Sequence, residues 1–372
     1  MPDRPRTLAP LTTLVFLSLL LAAPSGGRAY ENEECMDCHG DKDLTRSASE
    51  GMRQSLWVDY EKFKYSIHNI NAIACNDCHG IETLDLEQDP PHPTSTAAVR
   101  CFGCHEEEGE AYKNSVHYQM SSRGVSIPCF ACHEYHYTSR LEVSTVSQRE
   151  NNFCLKCHEP SKFHDWLPQK ETHFAHVECV VCHAPDAPRH IDLEFYDLVR
   201  ERFLTTAEKL EALQTDADGF VDLLDRDGNG ILDMKEFEDM VLVMRQRGVR
   251  GTFRGELLSE VQPVVHHVKR GEAKRSCETC HMPTSPFFAE VNITLKHDDG
   301  TVTHLPVERR VLESYYVNHF YALGGTRVRI LDKIGFLLPV GGVLVVGLHL
   351  GARIATAPRR RKEKGRTQRD RR

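Results

Sequence analysis

The sequence predicts a mainly α-helical chain with much irregular structure, one inserted helical unit, one small β-hairpin and a single transmembrane helix. Three observations lead to this fold class. A Cys-x-x-Cys-His pattern occurs seven times and accounts for all 14 cysteines. Residues 191–262 contain no cysteine or histidine, and their apolar residues recur at helical spacing. An apolar run near the C-terminus is long enough to cross a bilayer.

Each Cys-x-x-Cys-His pattern has the spacing by which c-type haem is attached to protein. Its two thiols can form thioethers with the two vinyl groups of one porphyrin, and the adjacent histidine then binds the iron as proximal ligand. Zinc ribbons, disulfides and redox dithiols also use Cys-x-x-Cys pairs, but none of them requires a histidine after every second cysteine. The seven predicted haem c sites are Cys35/Cys38/His39, Cys75/Cys78/His79, Cys101/Cys104/His105, Cys129/Cys132/His133, Cys154/Cys157/His158, Cys179/Cys182/His183 and Cys277/Cys280/His281.

The first six motifs follow one another closely, with first cysteines 40, 26, 28, 25 and 25 residues apart. Such an interval leaves room for one short helix and one loop per haem. Porphyrin faces are therefore expected to replace the buried layers that ordinary domains build from secondary structure. We predict a haem-packed multihaem cytochrome c domain over residues 30–190, carrying haems 1–6, with modest helix and little sheet.

Fourteen histidines lie outside the motifs, twice the number that seven haems need as distal ligands. This excess favours low-spin, low-potential iron with two histidine ligands over iron with one methionine ligand. A surface histidine is the alternative for each candidate, and it is preferred for His297, His304 and His319. The predicted distal ligands are His68, His92, His117, His136, His173, His176, His190, His266 and His267, with His164 in reserve.

Through the seven motifs and histidines such as His68, His117 and His136, the sequence resembles the class III multihaem c-type cytochromes, the cytochrome c3-like and related proteins. The resemblance covers roughly residues 31–190 and 260–285. It implies packed haems with bis-histidine ligation that pass electrons by tunnelling between neighbouring macrocycles. The predicted anchor is C-terminal, unlike the N-terminal anchor of the quinol-oxidising NapC/NirT type, so the resemblance does not extend to direct quinol oxidation.

The predicted helical insertion, residues 191–262, contains the segment DRDGNGILDMKE at residues 225–236. This segment resembles the calcium-binding loop of the EF-hand family at every diagnostic position. A loop that folds without metal, or an ordinary acidic turn, is the alternative. No second complete loop is evident, which favours a permanently filled structural site over a sensor. The predicted calcium ligands are Asp225, Asp227, Asn229, Ile231 through its carbonyl, Asp233 and Glu236.

Residues 263–330 are predicted to hold haem 7 and a β-hairpin. Apolar and polar residues alternate over residues 289–296 and 301–307, on either side of an Asp-Asp-Gly turn at residues 298–300. Alternation about such a turn is typical of two paired strands.

Both ends of the chain predict export and membrane attachment. Residues 1–29 have basic residues, an apolar core and small residues before position 30, as in a cleavable signal peptide. Residues 331–353 form the predicted transmembrane helix, and residues 354–372 form a basic tail typical of a cytoplasmic flank. The chain is therefore expected on the periplasmic side of the cytoplasmic membrane, with its N-terminus outside and its C-terminus in the cytoplasm.

Charge is unevenly distributed along the chain. The formal net charge is −8, with +2 on residues 1–29 and +8 on residues 353–372, which leaves −18 for residues 30–352. Such a field disfavours nucleic acid and steers basic soluble redox proteins toward the surface. An acidic surface that only keeps the protein soluble is the alternative. The expected partners are periplasmic cytochromes and a membrane redox subunit, and His349 within the span suggests a b-type cytochrome as one form of that subunit.

These features predict a membrane-anchored electron carrier with seven haem c groups and one Ca²⁺ ion. It would transfer electrons between a membrane oxidoreductase or quinone-linked partner and periplasmic redox proteins. An electron-transfer protein or subunit is favoured over an enzyme, because no motif indicates an open coordination position. One alternative is a terminal reductase of a small nitrogen or sulfur oxyanion, and another is a calcium-gated electron carrier.

Overall fold

The computed structural model describes residues 31–47, 51–80, 99–282, 285–297, 300–314, 317–318 and 329–369. The chain divides into two compact units, Met1–Leu141 and Glu142–Arg372, and each is described by itself. The predicted signal peptide and His92 lie outside the described residues, as do His319 and the tip of the predicted hairpin at residues 298–299.

The described part of the first unit consists of short helices joined by irregular segments. Two three-residue strands, β1 (Thr45–Ser47) and β2 (Arg53–Ser55), pair antiparallel. Single 3-10 turns occur at Cys101–Gly103 and Met120–Arg123. The helices are α1 (Asn32–His39), α2 (Tyr60–Phe63), α3 (Ile67–Ile70), α4 (Cys75–His79), α5 (Glu106–Lys113), α6 (Val116–Gln119) and α7 (Cys129–Cys132).

Side chains form almost no core in the described part of this unit. Phe63 is the only apolar side chain there that is buried. Ordering a chain costs conformational entropy, and burial of apolar surface is the main term that offsets this cost. The described segments of the first unit therefore need another apolar partner to hold their conformation.

The second unit combines short helices with a sheet. Its 3-10 turns are Cys154–Lys156, Pro160–Lys162, Pro263–His266, Pro286–Phe288 and Arg309–Glu313. Its helices are α8 (Val146–Asn152), α9 (Lys170–His176), α10 (Cys179–His183), α11 (Thr206–Leu213), α12 (Gly219–Leu224), α13 (Met234–Gln246), α14 (Cys277–His281) and α15 (Arg329–Arg369). Its strands are β3 (Arg189–Asp197), β4 (Arg202–Phe203), β5 (Gly251–Ser259), β6 (Val291–Lys296), β7 (Val302–Pro306) and β8 (Val317–Asn318).

A six-stranded mixed sheet organises this unit, in the order β7-β6-β3-β5-β8 with β4 paired to β3. The central strands β3 and β5 are antiparallel over nine residue pairs, and β3 is parallel to β6. Strands β6 and β7 form an antiparallel pair, which confirms the predicted hairpin.

The prediction of a wholly helical insertion is wrong at both of its ends, where β3, β4 and β5 lie. In β3, Ile191, Leu193 and Phe195 are buried in the core, and they alternate with Asp192 and Glu194. This period of two suits a strand, whose successive side chains point to opposite faces. The same residues also fit a helical period, so sequence periodicity alone did not separate the two structures.

The main hydrophobic core lies between one face of the sheet and the helices of the insertion. The ring of Phe253 in β5 packs 5.0 Å from Phe195 and 4.9 Å from Phe237 of α13, measured between centroids. Gly251 permits this packing, because a Cβ atom there would lie 2.2 Å from the Phe195 ring. The second unit thus has the side-chain core that the described part of the first unit lacks.

One described helix is long and apolar enough to cross a membrane, namely the segment Ile334–Pro358 of α15, with mean hydropathy 2.0. Its side chains are almost all exposed. The helix continues beyond the predicted span through the basic tail to Arg369, where the many Arg and Lys residues are good helix formers.

The opposite face of the sheet carries buried polar groups. Glu256 of β5 lies across from Asp192 of β3 and is 3% exposed. Burial raises the pKa of the Glu256 carboxyl to about 7. The positive charge of Lys296 lowers this pKa, whereas the negative charges of Glu194 and Asp192 raise it. The backbone amide of Val146, at the start of α8, donates a hydrogen bond that favours the charged form.

We predict that ionised Glu256 destabilises the second unit. The carboxyl pKa rises from 4.5 to about 7 on folding, so stability is lost as the pH increases through this window. The substitution Glu256→Gln should change little below pH ~4.5 and should stabilise the protein by up to roughly 3 kcal/mol above pH ~7. Urea unfolding followed by circular dichroism at several pH values measures the difference. The exposed control Glu211→Gln should show no such pH dependence, and equal behaviour of the two variants would contradict the prediction.

Candidate functional site

Each Cys-x-x-Cys-His motif adopts one turn of helix or 3-10 helix. In α4, α10 and α14, the turn begins at the first cysteine and ends at the histidine. Residues three and four apart lie on one side of such a turn, so the two sulfur atoms and the imidazole of a motif share a face. No disulfide joins any of the fourteen cysteines, all of which lie in the described residues, and none is fully buried. This arrangement leaves the thiols accessible for thioether bonds.

The third, fourth and fifth motifs form a shorter turn that ends before the histidine, and in the third motif the 3-10 turn ends at Gly103. The backbone of His133 is extended, with φ −94° and ψ 134°, because α7 ends one residue earlier. Cys157 and His158 both lie beyond the 3-10 turn of the fifth motif. The turn is still closed in all three motifs by a hydrogen bond from the histidine amide to the carbonyl of the first cysteine, 2.9 Å long for His105 and His133 and 3.0 Å long for His158.

Not every predicted haem-binding residue is buried by the polypeptide. Cys38 of the first motif is exposed, as are Cys157 and His158 of the fifth, and His133 is half-buried. Side chains therefore do not cover these positions, as expected if porphyrin faces rather than side chains form the buried layer around the motifs. A porphyrin would provide that cover. These residues, like the other cysteines and histidines of the seven motifs, stay predictions as haem-binding residues, and their assignment depends on the motif spacing.

Local hydrogen bonds tie the first two motifs together. Asn32 of α1 donates from Nδ2 to Asn69 Oδ1 at 2.9 Å and to the Ile73 carbonyl at 3.2 Å. Its Oδ1 accepts from the backbone amide of Cys75 at 2.8 Å. Gly80 ends α4 in the left-handed region, with φ 64°, where glycine is favoured. The haem-binding turns are therefore positioned by polar contacts rather than by an apolar core.

The first cysteines of successive motifs meet in pairs. Hydrogen bonds join Cys35 to Cys75 and Cys101 to Cys129 in the first unit. The bond from Cys75 lowers the pKa of the Cys35 thiol to about 7, and that of Cys75 is raised.

The second unit contains a corresponding pair of cysteines. Cys154 and Cys179 are hydrogen-bonded, and this bond lowers the pKa of Cys154. Burial raises the pKa of Cys280 to about 11, and the nearby Cys182 raises it further. The motifs within each unit are thus close neighbours in space.

Four proximal histidines face a second imidazole. In the first unit, the ring centroid of His68 lies 6.1 Å from that of His105, and His136 lies 6.2 Å from His79. In the second unit, His164 lies 6.0 Å from His183, and His173 lies 6.1 Å from His281. Burial lowers the pKa of His68, His136 and His183, which favours the neutral imidazole that a metal ligand requires. The four pairs thus have similar spacing although they lie on unrelated segments.

This spacing fits an iron atom held between two imidazoles. Two iron–nitrogen bonds of about 2 Å each, plus about 1 Å from each nitrogen to its ring centre, place the two ring centroids about 6 Å apart. Ordinary packing of two rings covers the same range of distances, so the argument rests on the recurrence of this spacing at four motif histidines. The described residues therefore fit the haem that the sequence motifs imply.

In all four pairs, the second histidine faces a motif other than the nearest one in sequence. His68, seven residues before Cys75, faces His105 of the third motif, and His136, just after the fourth motif, faces His79 of the second. His173 likewise precedes the sixth motif and faces His281 of the seventh. Position along the chain thus identified three of these histidines as candidates, but it could not assign their partners.

His164 was predicted only as a reserve, and the structure places it opposite His183. Its Nδ1 lies 2.8 Å from the carbonyl of Pro160, an interaction that orients the ring. This Pro160–Lys162 turn, directly after the fifth motif, is the local signal that could have selected His164. Orientation of an imidazole by a carbonyl is common at metal sites.

The other predicted distal histidines occupy varied positions. His117 lies on α6, His176 ends α9, and His266 ends a 3-10 turn that His267 follows. His190 lies on β3, where its ring centroid is 5.8 Å from that of His304 and its Nε2 is 3.5 Å from Asp192 Oδ1. These five remain predictions as haem ligands.

The loop at residues 225–236 brings three carboxylates together. Oxygen atoms of Asp225, Asp227 and Glu236 all lie within 4.8 Å of one another. Gly230 has φ +80°, as the sharp turn requires. Helices α12 and α13 flank the loop, and Asp233 caps α13 by accepting a 2.8 Å hydrogen bond from the Glu236 amide. Oxygen ligands converging in a loop between helices fit a calcium ion.

Comparison with known proteins identifies one family. Residues 67–159 match the model of the family described as Cytochrome c3, about a quarter of the chain. The matched segment contains the second to fifth motifs together with His68, His117 and His136. No curated protein and no solved structure gives a significant match. The family match, together with the paired imidazoles, supports the assignment of this chain as a multihaem c-type cytochrome, an electron-transfer protein.

Proposed function

We propose that this chain is a seven-haem cytochrome c that carries electrons on the periplasmic side of the cytoplasmic membrane. The observation that carries the proposal is the spacing of 6.0–6.2 Å in four imidazole pairs, each containing a motif histidine. Haem bound in this way would supply a reversible one-electron couple and would leave no coordination position for a substrate at these four of the seven proposed haems. A carrier or subunit is therefore favoured over a reductase.

The proposed iron ligands follow from the pairs. The motif histidines are proximal ligands, and His68, His136, His164 and His173 are the distal ligands of the third, second, sixth and seventh haems respectively. The remaining distal ligands come from the other predicted histidines. Low-spin iron with two imidazole ligands has a low reduction potential.

Contacts between cysteines support an order of electron transfer. Each cysteine bonds to a vinyl-bearing edge of its own porphyrin, so contact between cysteines of two motifs brings two such edges together. In the first unit, Cys35 meets Cys75 and Cys101 meets Cys129, while Cys78 lies near Cys101 and Cys104. We therefore propose the order 1–2–3–4 within this unit.

The same argument applies to the second unit. Cys154 meets Cys179, and Cys182 lies near Cys280. We propose that electrons pass in the order 5–6–7 within this unit. The insertion at residues 191–262 separates the sixth and seventh motifs in sequence, but their haem-binding turns remain close in space.

The C-terminal helix supports attachment to a membrane. The apolar segment Ile334–Pro358 is exposed along almost all of its length and is followed by basic residues. A basic flank favours the cytoplasmic side, which places the haem-binding units in the periplasm. A membrane oxidoreductase and soluble periplasmic cytochromes are then the partners that the anchor and the acidic soluble part favour.

Haem content provides the first test. Intact mass spectrometry of the purified mature protein should give seven added haems and no thiol that reacts with an alkylating reagent. Substitution of both cysteines of one motif, as in Cys277→Ala with Cys280→Ala, should remove one haem only. Fewer than seven haems in the unaltered protein, with free thiols remaining, would contradict the proposal.

Distal ligation is tested at His164, which lies opposite His183 and which the sequence favoured only as a reserve. Replacing His164 with alanine should open one coordination position and give one high-spin haem in the oxidised protein, with new reactivity toward carbon monoxide after reduction. His297, whose Nε2 lies 2.8 Å from Thr303 Oγ1, is the matched control. The variant His297→Ala should stay fully low-spin. An unaltered spectrum in His164→Ala would show that His164 does not bind iron, and a high-spin haem in the original protein would favour the reductase.

Calcium is proposed as a structural ligand of the loop at residues 225–236. At a calcium concentration about a hundredfold above Kd, binding should stabilise the protein by about 2.7 kcal/mol over the chelated form. The substitution Asp227→Asn should abolish most of this difference, because it removes a charged ligand from the cluster. The exposed control Asp218→Asn should retain it. Thermal unfolding with calcium or a chelator makes the measurement, and identical curves for the unaltered protein would exclude the site.

A further inference from the structure

The middle of the loop at residues 225–236 is paired with a part of the chain that is distant in sequence. Leu232 forms an isolated parallel bridge with Val307, just beyond β7. Its amide donates to the Pro306 carbonyl at 2.8 Å, and its carbonyl accepts from the Glu308 amide at 2.8 Å. Leu232 is 0% exposed and Val307 is 6% exposed, so these hydrogen bonds lie under apolar side chains.

The position of Leu232 within the loop makes this bridge important. Its neighbours Ile231 and Asp233 are two of the predicted ligand positions, one through its carbonyl and the other through its carboxylate. The hydrogen bonds of the Leu232 amide and carbonyl fix its backbone. They therefore restrict the dihedral angles that orient the Ile231 carbonyl and the Asp233 carboxylate. A loop whose ligands are already oriented binds its ion with a smaller loss of entropy.

The other side of the bridge leads to the seventh haem motif. The Val307 amide donates to the Val291 carbonyl of β6 at 2.8 Å, which joins the segment to the sheet. Two residues later, the Arg309 guanidinium lies 3.4 Å from the Ser285 carbonyl. The hydroxyl of Ser285 donates to the Thr279 carbonyl at 2.8 Å, and Thr279 lies between Cys277 and Cys280.

We infer that residues 306–308 take the place of the partner loop that this EF-hand-like loop lacks, and that they couple calcium binding to the backbone that holds the seventh haem. This inference rests on the calcium site proposed above. Coupling of this kind is reciprocal, so loss of the bridge weakens calcium binding and loss of calcium loosens the bridge. The loop needs no partner EF-hand, because a strand end of the sheet supplies its backbone partner.

Glu308 allows a selective test. Its φ of −59° already matches proline, so Glu308→Pro removes the donated hydrogen bond without requiring a new φ. The same substitution also removes the carboxylate that lies 2.7 Å from Arg310 Nε. Glu308→Ala is therefore the matched control, since it removes the carboxylate and keeps the amide hydrogen.

Isothermal titration of each haem-loaded, full-length protein with CaCl₂ measures the affinity. Glu308→Pro should bind calcium about threefold to tenfold more weakly than Glu308→Ala, the effect of one hydrogen bond. Equal affinities would overturn the coupling. If the original protein binds no calcium, the calcium site and the coupling both fail, whereas the haem count and spin state still stand as evidence for the electron carrier.

Hydrogen exchange of the unaltered protein tests the coupling without any substitution. Calcium should slow exchange of the Glu308 and Leu232 amides by about fivefold or more, and of a peptide covering residues 277–282 in the same direction. Protection confined to residues 225–236 would show a local site without coupling and would overturn the inference. This readout also serves if Glu308→Pro fails to fold.

Discussion

Folding of the first unit depends on a constraint that its own side chains do not satisfy. Phe63 is the only buried apolar residue in its described part, and the helices there are four to eight residues long. Isolated helices of this length are unstable in water. Covalently attached porphyrins would supply the apolar surface that is missing, and the irregular connections between motifs then become understandable as a chain wrapped around cofactors rather than around itself.

The second unit obtains buried apolar surface from its own side chains. It has a side-chain core between the sheet and helices α11–α13, so its fold depends on haem much less. Three haem motifs are placed around this core, and α10 packs near β5 through a hydrogen bond from the Glu178 amide to the Leu257 carbonyl at 3.0 Å. A rigid sheet next to haem-binding turns keeps their separation constant, which matters because the rate of electron tunnelling depends steeply on distance.

Buried charge is the main cost of this arrangement. The sheet face opposite the core carries Asp192, Glu194 and Glu256, and Lys209 and Lys296 pair with Glu194. Among the described residues no cation is bonded to Glu256, and burial disfavours its charged form. Buried pairs of this type contribute little net stability, but removal of one partner leaves an uncompensated charge. Loss of Lys209 or Lys296 would therefore leave Glu194 less compensated, whereas Glu256 lies outside this paired set.

The sequence by itself determined the chemistry that is local. Each haem motif, the calcium-type loop, the hairpin and the apolar helix is encoded within a few consecutive residues, because thioether attachment, loop coordination and strand alternation each depend on short spacings. The tertiary structure alone decided which imidazole faces which motif histidine, as His164 and His183 illustrate, and that Leu232 pairs with Val307. It also decided that residues 189–197 are a strand. Each of these depends on contacts between segments distant in sequence, and local periodicity carries no information about such contacts.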